Sequence, residues 1–130
     1  MKIKILFFAM LFMAIACNKD DDSNSRDKFL ATYGVVESCP GLNSSYDIII
    51  TTSAESNNTI LINNFGETGT SVKATVSGNN LTVPNQTVNV SGTSVTLSGS
   101  GALSGSILNI TYTVSALGGS ANCSMVCTKK

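Results

Sequence analysis

The chain reads as an all-β domain, an antiparallel meander of eight or nine strands, and three observations carry that reading. Ser, Thr and Asn dominate everything after the first sixteen residues, a composition poor for helices and rich in turn formers and β-branched side chains. Apolar residues alternate with polar ones at period two in several runs. Outside the leader, no stretch of helical length carries an apolar stripe at 3.6 spacing.

Taken in order, the first element is a leader. Lys2 and Lys4 flank a short basic start, and Ile5 to Ala16 is an unbroken apolar run ending at Ala14-Ile15-Ala16-Cys17. The run is well short of the about 20 residues that span a bilayer as a helix, so residues 1–16 read as an export signal. Small residues followed by Cys17 and a polar stretch resemble the lipobox of bacterial lipoproteins, with Ala14 where Leu is commoner and Ile15 where a small residue is commoner. That resemblance implies that Cys17 becomes the first mature residue and carries acyl chains, palmitate among them, anchoring the protein to a membrane. Next, Asn18-Lys19-Asp20-Asp21-Asp22 is similar to the export signal of surface lipoproteins of the Bacteroidota, with Lys19, Asp20 and Asp21 as its matching residues. Localisation on the outer membrane, facing the cell surface, is the implied address. Residues 17–28 are too polar to bury and read as a flexible lipidated arm.

Residues 29–130 form the expected single β domain. Its runs are Phe29 to Cys39, Tyr46 to Thr52, Thr59 to Asn63, Ser71 to Val76, Asn80 to Val83, Thr87 to Val90, Ser94 to Gly101, Ile107 to Ala116 and Cys123 to Lys129. In the clearest, Leu108, Ile110, Tyr112 and Val114 face one way and Asn109, Thr111, Thr113 and Ser115 the other, one buried face and one wet. Ser77-Gly78-Asn79-Asn80, Ser91-Gly92-Thr93, Leu103-Ser104-Gly105 and Gly118-Gly119 supply turn chemistry. Around Pro84 the apolar parity shifts from Leu81 and Val83 to Val88 and Val90, which is either one bent strand with a bulge or two strands and a turn. Gly41 to Ser45 and Ala54 to Asn58 read as polar loops.

A meander of this length leaves two open edges unless it closes, so an up-and-down barrel of eight strands is preferred, with a β-sandwich as the alternative. The architecture resembles small lipocalin-like or calycin-like barrels and small flavobacterial lipoproteins, through Phe29 to Cys39, Asn63-Asn64-Phe65-Gly66 and Val83-Pro84-Asn85-Gln86. The resemblance implies no known ligand. It departs from true lipocalins at Tyr33, near where they carry Gly-x-Trp, in a chain without Trp.

Cysteines add a constraint. Besides Cys17 the chain holds Cys39, Cys123 and Cys127, so an oxidising compartment predicts one bridge and one spare thiol. Cys123 and Cys127 lie about 13 Å apart along an extended strand, beyond the about 7 Å reach of a disulfide. Closing the barrel lays the last strand antiparallel to the first, which brings Cys39 to Cys123 rather than to Cys127. A metal site from the three thiols fails on spacing and on the absence of His.

Chemistry is sparse. Eight basic and eight acidic side chains make the chain formally neutral, and loss of Lys2 and Lys4 with the leader tips it slightly acidic. No basic patch is available for nucleic acid. With no His, Ser-His, Cys-His and zinc-hydrolase mechanisms are excluded. Glu37, Asp47, Glu55 and Glu67 are the acids of the domain, and nothing in their spacing sets a glycosidase pair. The expectation is therefore a binding domain without catalytic residues, metal or cofactor. Its partner is either a small ligand or glycan or, alternatively, a surface protein, with the domain acting as an inhibitor or an accessory subunit of an outer-membrane complex. Tyr33, Tyr46 and Tyr112 are the candidate lining of a barrel mouth, against the plainer reading of these tyrosines as core residues.

Overall fold

A computed structural model describes residues 26–130. The eight strands are β1 (Ala31–Cys39), β2 (Leu42–Thr52), β3 (Thr59–Asn63), β4 (Ser71–Ser77), β5 (Asn80–Val90), β6 (Thr93–Ser104), β7 (Ile107–Ala116) and β8 (Gly119–Lys129). They pair in chain order as a closed up-and-down barrel. The antiparallel seam between β1 and β8, from Tyr33 opposite Lys129 to Ser38 opposite Ser124, completes the ring. Closure removes both free edges that a meander would otherwise expose, and the sandwich alternative falls.

Nine expected runs become eight because Asn80 to Val83 and Thr87 to Val90 are one strand. Its register against β6 shifts between Val83 and Gln86, where Pro84 has no N–H to offer the ladder. The shift lets Leu81 and Val83 on one side, and Val88 and Val90 on the other, all turn inward despite their opposite sequence parity. β4 pairs with β5 only from Thr75 to Ser77. Where the two part, the Gln86 side-chain amide takes over: Nε2 donates to the Lys73 carbonyl at 2.9 Å, and Oε1 accepts from the Lys73 N–H at 3.0 Å. A side chain thus completes a ladder step that the backbone leaves open.

The expected loop Gly41 to Ser45 is mostly strand. Gly41, at φ +75°, turns the chain with Pro40 directly after Cys39, and Leu42 to Ser45 pair at once with Cys39 to Val36. Their polarity misled because Asn43 and Ser45 occupy the wet outer face, where a strand carries polar side chains. Ala54 to Asn58 is a loop as expected.

The two ends of the barrel differ. Tyr33, Ile48, Ile50, Ile60, Ile62, Val72, Ala74, Leu81, Leu108, Ile110, Met125 and Cys127 are all buried at one end. Phe29 stoppers it, with its carbonyl accepting from the Tyr33 hydroxyl at 2.9 Å. Burying side chains of this size stabilises a fold by roughly 1.5–3 kcal/mol each. Arg26 to Lys28, the last residues of the expected arm, dock here. The Arg26 guanidinium donates to the carbonyls of Ser53 and Ser56, and the Lys28 ammonium donates to Asn79. At the opposite end lie the turns Pro40-Gly41, Ser91-Gly92 and Leu117-Gly118 and the longer β3–β4 connection, which contains a 3-10 turn at Phe65–Glu67. That end is a mouth.

Candidate functional site

Alternation along β1 sends Tyr33, Val35, Glu37 and Cys39 inward in turn, so a carboxylate enters the barrel interior between a valine and a half-cystine. Cys39 is bridged to Cys123 of β8 across a Cα separation of 4.3 Å, and Cys127 is free and buried, as expected from barrel closure. Glu37 is only 4% exposed. Tyr46 of β2 donates its hydroxyl to one Glu37 carboxylate oxygen at 2.9 Å, and Tyr112 of β7 donates to the other. Three strands therefore converge on one carboxylate.

Above it the connection from Asn64 to Thr70 folds over the mouth. The Asn64 amide donates to the Asp47 carbonyl and accepts from the Gly69 N–H, and Thr68 donates to the Phe65 carbonyl. Left-handed backbone at Asn64, Gly66 and Glu67 makes so tight a fold possible. It buries Phe65 against Tyr112, edge-on with ring centroids 4.7 Å apart. Between these rings, Glu37 and the aliphatic side chains of Val88, Val95, Leu97 and Val114 lies a cavity of about 260 Å³. A broader depression of about 480 Å³ crosses the outer wall, lined by Ser38, Ser98, Ser100, Thr111, Thr113, Asn122 and Ser124. It is more open and more polar than the mouth and has no charged residue in its lining, so it offers a ligand less desolvation.

The electrostatics follow from burial. Loss of water raises the Tyr46 and Tyr112 phenols above their ordinary range, and acceptance of their protons by Glu37 raises them further. Both remain hydrogen-bond donors at neutral pH. Below them, burial and then the charge of Glu37 push the Cys127 thiol up to about 12, which makes it a packed apolar group and not a nucleophile. Glu37, Cys39 and Cys123 place potential metal-ligand atoms within 4.8 Å of one another. Because the two sulfurs are bonded to each other, a metal would find one carboxylate there.

Of the three candidate tyrosines, the structure brings Tyr46 and Tyr112 together on Glu37 and sets Tyr33 apart in the filled end, its hydroxyl tied to Phe29. Cys17, Lys19, Asp20 and Asp21 lie outside the described residues. The residue that sequence reasoning passed over is Glu37. Its signal was present, since it shares the parity of Tyr33 and Val35 and so belongs to the buried face of β1. Phe65 and Glu67 gave no such signal, because a loop has no period. No protein-family model and no curated protein matches the chain.

Proposed function

We propose that this protein is a lipid-anchored outer-membrane protein, displayed on the surface of a Bacteroidota cell through acylated Cys17, whose barrel mouth binds a small ligand without turning it over. The observation that carries the binding reading is the contrast between the two ends of one barrel: large apolar side chains are buried at one end, whereas the other keeps a cavity of about 260 Å³ over a buried acid. A recess with this apolar lining offers a ligand desolvation that an exposed surface does not. At slightly below the about 300 Å³ where ordinary ligand pockets begin, the cavity suits a small molecule. The domain's first described residues, Arg26 to Lys28, dock at the end opposite the mouth and leave the mouth uncovered by them.

Native mass spectrometry of the protein purified from its own host tests the binding. A small molecule should co-purify with the wild type and be lost from Leu97→Trp, in which an indole occupies the cavity. A molecule retained equally by both would place the ligand elsewhere. Metabolic labelling with a clickable fatty acid should tag the wild type and not Cys17→Ser. Proteinase added to intact cells should remove the domain, and replacing Lys19, Asp20 and Asp21 with Ala should protect it.

A second reading, a protein-interaction module, draws on the rim. Leu117 is 90% exposed at a hairpin tip in left-handed backbone, and Leu42 is 65% exposed on the neighbouring hairpin. Two leucines held out to solvent at adjacent tips are the kind of apolar contact a partner protein covers. Crosslinking on intact cells from a photoreactive residue at position 117 would capture such a partner.

A further inference from the structure

Glu37 is a buried acid with no cation beside it among the described residues. Buried carboxylates are ordinarily matched by a cation, since burial of an unpaired charge costs far more than two neutral hydrogen bonds return. Here both partners are neutral phenols. The five cationic side chains among the described residues are engaged elsewhere. Arg26, Lys28 and Lys129 bond at the filled end, Lys73 pairs with Glu55, and Lys130 pairs with Asp47. Among the described residues, the other acid at the cavity wall is Glu67. The mouth is therefore an apolar chamber with one acid at its floor and another at its rim, and no cationic side chain among the described residues lines it. Two aromatic rings, Phe65 and Tyr112, share its wall.

From this we infer that the mouth takes an organic cation: a small amine whose ammonium group meets the Glu37 carboxylate and whose hydrocarbon body lies against Val88, Val95, Leu97 and Val114. The inference rests on the proposed binding function and specifies its ligand class. The geometry divides the work. Tyr46 and Tyr112 occupy one hydrogen-bond position on each carboxylate oxygen and hold the group in place, and the remaining lone pairs are left for an N–H donor. A ring face beside an ammonium adds attraction. The aliphatic wall rewards an alkyl body, and a carboxylate ligand meets an acid at the floor and a second at the exposed rim instead of a cation.

The test uses three probes of one shape: n-hexylammonium, n-hexanol and hexanoate, titrated calorimetrically at neutral pH into the mature chain carrying Cys17→Ser, so that no detergent competes for the cavity. Hexylammonium should bind about tenfold or more tighter than hexanol, the ratio expected for one charge-assisted contact in a buried site, and hexanoate should give no heat. Glu37→Gln should erase the preference for the ammonium and keep hexanol binding. Glu67→Gln, at an exposed position, should change the preference about twofold at most. Hexanol binding as tightly as hexylammonium would overturn the cation assignment and leave the pocket standing. Failure of all three probes at millimolar concentration would overturn the pocket and the assignment together. Loss of the preference in Glu67→Gln would move recognition to the rim and overturn the role of Glu37. Should Glu37→Gln fail to fold, the ranking of the three probes on the wild type decides the matter alone.

Discussion

At the scale of single residues, the molecule turns on what surrounds one carboxylate. Glu37 keeps its place in an apolar barrel because two phenols donate to it, and the two donors differ in value. Tyr112 is buried, so its removal unpairs a carboxylate oxygen inside the barrel; Tyr46 is half-buried, and water replaces its hydroxyl more readily. Tyr112→Phe should therefore destabilise the barrel by about 2 kcal/mol and Tyr46→Phe by about 1 kcal/mol or less, read from the midpoints of urea denaturation. Equal effects would mean that water reaches both oxygens. The inward orientation of Glu37 was legible from its place in the alternation Tyr33, Val35, Glu37, Cys39. Its partners were not, because Tyr46 and Tyr112 arrive from β2 and β7, nine and seventy-five positions along the chain.

At the scale of elements, β6 approaches β7 too closely for side chains at two positions. Gly99 and Gly101 sit opposite Tyr112 and Ile110, and a Cβ at Gly99 would lie 2.4 Å from the Thr111 carbonyl and 2.6 Å from the Tyr112 Cβ. The close approach lets β6 coil against β7 on the way around a small barrel, a use of glycine as a bend and not as a turn. Gly99→Ala should cost about 3 kcal/mol, since the clash is with backbone that cannot swing aside. Gly105→Ala is the control. Its backbone has φ +63° but open space around it, so about 1 kcal/mol is expected. Chemical denaturation of the two variants gives the comparison, and a cost at Gly99 no greater than that at Gly105 would show that β6 and β7 can separate freely. In β5 the sequence already held the parity switch around Pro84; the bulge that reconciles it depends on Gln86 reaching Lys73 in β4.

For the whole molecule, the bridge and the buried acids set how the barrel responds to redox conditions and pH. The Cys39–Cys123 bond closes a separation of 84 residues and staples the seam at the mouth. Peptide mass spectrometry without reductant should link these two and leave Cys127 unpaired. Replacing both bridged cysteines with Ser should lower stability by about 4 kcal/mol in the chain-entropy account. The pH response has a definite sign. Cys127 is raised from 9.0 to about 12 and Tyr33 from 10.0 to about 12, both chiefly by burial, and Tyr46 and Tyr112 are raised in the same sense. Between those limits the folded chain holds protons that the unfolded chain has released. Stability is therefore whole below about pH 9 and falls as the pH climbs towards 12. Thermal melts between about pH 8 and 11 should show the midpoint dropping above pH 9, with a shallower drop in Cys127→Val. A midpoint flat to pH 11 would mean that these groups titrate normally in the fold.

The chain by itself determined the all-β class and the short-turned meander, because period-two patterning and turn residues are local; the Cys39–Cys123 pairing followed from it only on the condition that the meander closes in register, which the structure decided. Tertiary structure alone decided which end of the barrel is solid and which is hollow. Tyr33 and Tyr112 are equally inward by pattern, yet Tyr33 is packed beneath Phe29 while Tyr112 faces the cavity under Phe65. Alternation states that a side chain points inward; what it meets there depends on how side chains from eight strands share one interior volume, and no single strand carries that sum.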